Sequence, residues 1–95
     1  MAHKLQLFSG GCPLCVSFLR EIEAGKCGPC ELEVLDTRDP ASRHAMAEYD
    51  VRVVPTLVVD GRIRIEGALD VPWVCDDDFY ARLERMYPIP NARLM

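Results

Sequence analysis

The chain predicts an α/β fold, β-α-β-α-β-β-α in order, with one four-stranded mixed sheet flanked by helices. Two patterns carry that reading. Short apolar runs alternate with stretches of helical periodicity through the first half of the chain. Further on, Asp60-Gly61 stands between two apolar runs, the strongest short signal for a hairpin. The 95 residues, 49% hydrophobic and 27% charged, are enough for one core and therefore one domain, spanning residues 1–95.

Leu5-Gln6-Leu7-Phe8 reads as a buried strand over residues 4–8, ended by the Ser9-Gly10-Gly11 turn. Pro13 suits the first turn of a helix, where its missing N–H costs nothing. Val16, Phe18, Leu19 and Ile22 then recur at helical spacing, with Arg20, Glu21 and Glu23 on the wet side and Gly25 as the stop. Leu32, Val34 and Leu35 mark a second strand over 31–36. A helix is expected over 40–49, with Asp39 as N-cap and Pro40 in first position. Thr56-Leu57-Val58-Val59 and Arg62-Ile63-Arg64-Ile65 flank Asp60-Gly61 as the hairpin strands. The acidic run Asp76-Asp77-Asp78 suits the start of a last helix that reaches residue 86, before Pro88 and Pro90 stop it. Residues 91–95 are expected to be a loose tail. Strands joined through a helix should run parallel and hairpin strands antiparallel, which a single mixed sheet with helices on both faces satisfies.

A net charge of −4 and the lack of a basic stripe argue against nucleic acid. No apolar run approaches the roughly 20 residues that span a bilayer, and the first residues lack the apolar stretch of a secretory signal. The expectation is a cytoplasmic protein with no membrane partner. Five cysteines form two Cys-x-x-Cys pairs with one left over, a pattern that in a reducing compartment points to redox or metal chemistry rather than a disulfide framework.

Cys12-Pro13-Leu14-Cys15 falls at the junction of the first strand and first helix. Unpaired N–H groups and partial positive charge at a helix N-terminus favour thiolate over thiol. Cys12, at the open end, is the expected nucleophile and Cys15, one turn inside, the resolving thiol. Cys27-Gly28-Pro29-Cys30 precedes a strand and has no helix N-terminus to help it. It reads either as a second redox or metal-capturing pair or as a local turn disulfide or inert thiols. A helix between the pairs holds them roughly 18 Å apart, too far for four sulfurs to share one metal at ~2.3 Å bonds. Either pair alone could take a soft metal in two-coordinate fashion. Cys75 reads as a small, partly buried residue, His3 and His44 as surface residues, and Tyr49, Phe79, Tyr80 and Tyr87 as core or flank.

Taken together, Cys12-Pro13-Leu14-Cys15, Val54-Pro55-Thr56 before the third strand and the segment from Gly67 to Asp70 resemble the thioredoxin superfamily, closest to small glutaredoxin-like proteins. The resemblance implies a thioredoxin-like fold, a cis peptide before Pro55 beside the dithiol, and a Val54 backbone that pairs with an extended substrate. It further implies Asp70 as the acid for a glutathione amino group, and Arg38 or Arg52 as the cation for a carboxylate. The chain also departs from the pattern. Gly11 replaces the Trp that thioredoxins carry before the first Cys, and Leu14 replaces the Tyr common in glutaredoxins. The expected function is a thiol–disulfide oxidoreductase with no bound cofactor. Its partners would be disulfide-containing proteins or glutathione, and its electron donor glutathione or a thioredoxin-reductase-like protein. The alternatives are a module that binds a soft metal or thiol-reactive ion through one or both Cys-x-x-Cys pairs, and a redox-inert interaction scaffold.

Overall fold

The computed structural model describes residues 3–69 and 71–89. The expected tail over 91–95, Pro90 and Asp70 lie outside these residues. The elements are β1 (Lys4–Ser9), α1 (Pro13–Gly25), β2 (Glu31–Asp36), a 3₁₀ turn (Pro40–Ser42), α2 (Arg43–Glu48), β3 (Thr56–Val59), β4 (Ile63–Glu66) and α3 (Asp77–Met86). They form an α/β fold on a mixed sheet of order β2-β1-β3-β4. β1 runs parallel to β2 and antiparallel to β3, and β3 pairs antiparallel with β4.

Strand alternation divides the core between two faces. Leu5, Leu7, Leu57, Val59, Ile63 and Ile65 pack on one face against Phe18 and Ile22 of α1 and Phe79, Tyr80 and Leu83 of α3. Phe8 and Val58 point the other way, onto Val51 with Ala45 and Met46 of α2. Helices therefore cover both faces, with β1 and β3 in the middle. Outer strand β2 leaves Val34 exposed. The stripe buried by α1 is Cys15, Phe18 and Ile22, with Val16 turned outward.

Local chemistry sets the boundaries. Asp60 and Gly61 both have positive φ (53° and 68°), and the Arg62 N–H closes their turn onto the Val59 carbonyl at 3.0 Å before Ile63 pairs with Val59. Asp76 caps α3 by accepting the Phe79 N–H at 2.7 Å. Asp39 accepts the Ala41 N–H at 3.0 Å, as an N-cap should. The helix expected over 40–49 is instead a 3₁₀ turn followed by the short α2, because Asp50 adopts positive φ and Val51 donates back to the Met46 carbonyl at 2.8 Å. Among the described residues no helix is long and apolar enough to cross a membrane.

Two features corrected by the structure concern side chains. His3 is not a simple surface residue. Its ring stacks on Tyr80 at 3.8 Å and meets Asp60 at 2.6 Å, which ties the entry of β1 to α3 and to the hairpin turn. Cys27 is bonded not to Cys30 but to Cys75, 48 residues away. Gly25 explains how these distant residues meet: a Cβ there would lie 2.0 Å from the Trp73 carbonyl oxygen. Only a glycine lets the end of α1 pass so close to the segment before α3.

Candidate active site

β1 ends in the middle of the sheet and hands the chain to the Ser9–Gly11 turn, which folds back on itself through the Gly11 N–H donating to Ser9 Oγ at 3.1 Å. Gly11 has φ of +79°, a conformation glycine takes without strain, and the Arg38 guanidinium lies against it, 3.1 Å from where a Cβ would stand. Cys12 follows as the extended N-cap of α1, with Pro13 in the first helical turn.

The Cys12 sulfur accepts the Cys15 backbone N–H at 3.2 Å, a direct use of one orphan donor at the helix N-terminus. Cys12 is half-buried and Cys15 fully buried. Burial pushes the Cys15 thiol up. The contact with Cys12, backbone groups of Gly10 and Cys12, and the Ser9 hydroxyl more than offset it, so the net direction is downward. The lowered thiol is Cys15, and its largest favourable contact is with the Cys12 sulfur. A dithiol with one sulfur reachable on a helix N–H and the other shielded can attack a disulfide and then release the product from inside.

The Val54–Pro55 peptide is cis. Pro55 is buried, and Val54, 38% exposed, reaches the dithiol loop: its Cγ2 would be 3.3 Å from a Cβ on Gly10. Two bonds fix this segment. Thr56 Oγ1 donates to the Val53 carbonyl at 2.7 Å, and the Gly67 N–H donates to the Pro55 carbonyl at 2.8 Å. Among the described residues the Val54 N–H and C=O have no backbone partner. Leu14, within the dithiol segment, and Val53, next to Val54 in the chain, are exposed. A groove of about 280 Å³ continues from there, lined by Thr37, Met46, Val51, Arg52, Val53 and Val54.

Two cations border this surface. Arg38 is held by both carboxylate oxygens of Asp36, at 3.0 and 3.1 Å, and Arg52 by Asp50 at 2.6 Å. The side-chain hydrogen bond from each arginine holds its carboxylate partner below the usual range. Each pair is thus partly neutralised and still presents N–H donors to solvent.

Of the residues singled out from the sequence, Cys12, Cys15, Val54 and Pro55 come together here, with Arg38 and Arg52 at the margin. Cys27 and Cys30 do not join them. They occupy the opposite end of α1, where Cys27, Cys30 and Cys75 bring their sulfurs within 4.8 Å of one another. Cys75 is the residue that sequence reasoning passed over. Its only signal was the odd cysteine count, since nothing in the sequence spacing links residue 75 to the end of α1.

No family model matches the chain, and no solved structure matches it. It is similar to an uncharacterized 9.0 kDa protein in the mobE 3′ region of Acidithiobacillus ferrooxidans, with 32% identity over 61 residues, 64% of this chain and 72% of that protein.

Proposed function

This chain belongs to the same family as that uncharacterized Acidithiobacillus ferrooxidans protein, and we propose that it is a thiol–disulfide oxidoreductase of glutaredoxin-like type, working through Cys12 and Cys15. The observation that carries the reading is the half-buried Cys12 sulfur on a helix N-terminal N–H, with Cys15 buried behind it and Val54 alongside. The sheet order and the cis Val54–Pro55 peptide support a thioredoxin-like fold.

In the first step the Cys12 thiolate attacks one sulfur of a substrate disulfide. A Cys12–substrate disulfide forms, and the other substrate sulfur leaves as a thiolate. In the second step Cys15 loses its proton and attacks the Cys12 sulfur. The substrate leaves as its second thiolate, and the two electrons it has gained remain balanced by a Cys12–Cys15 disulfide. The Val54 backbone is available to pair with an extended substrate in the manner of an added strand, while Leu14, Val53 and the Val54 side chain offer apolar contact. Arg38 and Arg52 suit a carboxylate such as glutathione carries, and Asp70 suits its amino group by resemblance. The setting is cytoplasmic, the substrate a protein disulfide or a glutathione mixed disulfide, and the donor glutathione or a thioredoxin-reductase-like protein.

Insulin and glutathione mixed-disulfide reduction, each run with glutathione and with thioredoxin reductase, tests the reading and identifies the donor. Cys12→Ser should lower turnover below about one thousandth of wild type, as expected when a nucleophile is removed. Cys15→Ser should accumulate the mixed disulfide, visible as a mass adduct. A Cys12→Ser protein that keeps its activity ends the proposal.

A further inference from the structure

The three sulfurs of Cys27, Cys30 and Cys75 are a second chemical centre that the reductase reaction does not use. They come from two separate parts of the chain: the turn between α1 and β2, closed by the Cys30 N–H donating to the Cys27 carbonyl at 3.1 Å, and the loop before α3. Cys30 is buried, with Cys27 and Cys75 half-buried around it. All three sulfur atoms lie within 4.8 Å of one another. A metal held by three thiolates in a plane at ~2.3 Å sets its sulfurs about 4 Å apart, so small side-chain rotations would bring the three into register.

We propose that, once the Cys27–Cys75 disulfide is reduced, Cys27, Cys30 and Cys75 form a three-thiolate site for monovalent copper, which reclosure of the disulfide abolishes.

Four observations favour this occupant. Soft thiolates select soft ions such as monovalent copper and zinc. Zinc in a structural site requires four ligands, whereas among the described residues no fourth His, Cys or carboxylate joins the cluster. The carboxylate that follows Cys75, Asp76, is already engaged as the cap of α3. The shell around the sulfurs also accommodates negative charge. The Tyr80 hydroxyl and Trp73 Nε1 are buried without a hydrogen bond of good geometry. Lys26, whose ammonium reaches the Cys30 carbonyl at 3.4 Å, adds a cation at the same turn. Finally, these sulfurs lie beyond the C-terminal end of α1, where the helix favours cations over anions. Thiolates there need a covalent partner or a bound cation.

The chemistry balances. A dithiol reductant supplies two electrons and two protons, converting the Cys27–Cys75 disulfide to two thiols. Copper binding then expels three protons, one from each thiol, as three sulfur–copper bonds form. A disulfide oxidant that takes two electrons from the Cys27 and Cys75 thiolates leaves as two thiolates, rejoins the two sulfurs, removes two of the three ligands and releases the ion.

The test is an anaerobic titration of reduced Cys12→Ser/Cys15→Ser protein with monovalent copper held by bicinchoninate. One copper per chain should transfer to the protein. Adding Cys30→Ser or Cys75→Ser should weaken retention at least tenfold, with folding checked by circular dichroism. In the unaltered background, bound copper should protect Cys27, Cys30 and Cys75 from alkylation as mapped by mass spectrometry, and X-ray absorption should count three sulfurs. Failure to withdraw copper from bicinchoninate overturns the proposal, as does a two-sulfur count or protection confined to other residues. Because the dithiol is absent from this background, the result is independent of the reductase reading.

Discussion

Helix α1 has a cysteine centre at each end, and the two ends put their sulfurs in opposite settings. At the N-terminal end, Cys12 accepts a helix N–H, and Cys15 titrates below an ordinary thiol despite its burial. There the helix favours negative charge, and the Cys12 sulfur is only half-buried. At the C-terminal end the same dipole opposes thiolates, and Cys27 is joined to Cys75 as a neutral disulfide. The Cys27-Gly28-Pro29-Cys30 segment therefore holds a tie to Cys75, and Cys12-Pro13-Leu14-Cys15 holds a half-buried thiol on a helix N–H. Position along a helix decides this more than the letters of the motif do.

The largest effect separating the two ends should be on stability. The disulfide closes a separation of 48 residues, for which chain entropy gives about 4 kcal/mol. Cys75→Ser should lower the unfolding free energy in urea by about 2–4 kcal/mol and leave disulfide reductase turnover within about twofold at temperatures where the variant stays folded. Reductase activity falling in step with Cys12→Ser would instead join the two ends into one machine.

A smaller loss should follow from Gly25→Ala. The added methyl meets the Trp73 carbonyl, so the loop before α3 must shift, at a cost of about 1–3 kcal/mol. The variant should show a lower melting temperature and more alkylatable thiol at Cys27 and Cys75, with α3 loosened and the dithiol loop unaffected. An unchanged thiol count would show that Gly25 does not set the Cys27–Cys75 contact.

The most delicate difference is in pH. In the reduced, folded protein Cys15 loses its proton at lower pH than an ordinary cysteine, because burial is outweighed by the contacts with Cys12, Gly10 and Ser9. The thiolate absorbance that Cys15→Ser removes should appear with a midpoint below that of an unperturbed thiol. The linked stability has a definite sign. It is fully present above the unfolded-state titration and is lost as pH falls through the folded-state titration. Reduced wild type should accordingly gain stability over Cys15→Ser as pH rises toward the ordinary thiol range. A flat difference would mean that the helix end contributes nothing to the thiolate.

Much of this was legible in the sequence because it rests on short-range rules. The strand over Glu31–Asp36, the Asp60-Gly61 turn, the Asp39 cap, the start of α3 in the acidic run from Asp76 and the start of α1 at Pro13 each follow from a few adjacent residues. The helix after Pro40 was overextended because a tertiary bond, Val51 to Met46, and the left-handed Asp50 end it early. The placement of His3 against Tyr80 and Asp60 was likewise beyond reach, since the three residues meet only when β1, the hairpin turn and α3 pack together.

By itself, then, the sequence determined the order of elements, the mixed sheet and the dithiol at the mouth of α1, because period, turn chemistry and helix polarity are local properties of a chain. Only the tertiary structure decided which cysteines share a site. Cys75 reaches Cys27 and Cys30 because Gly25 lets the backbone of Trp73 lie against the end of α1, a contact between residues far apart in sequence.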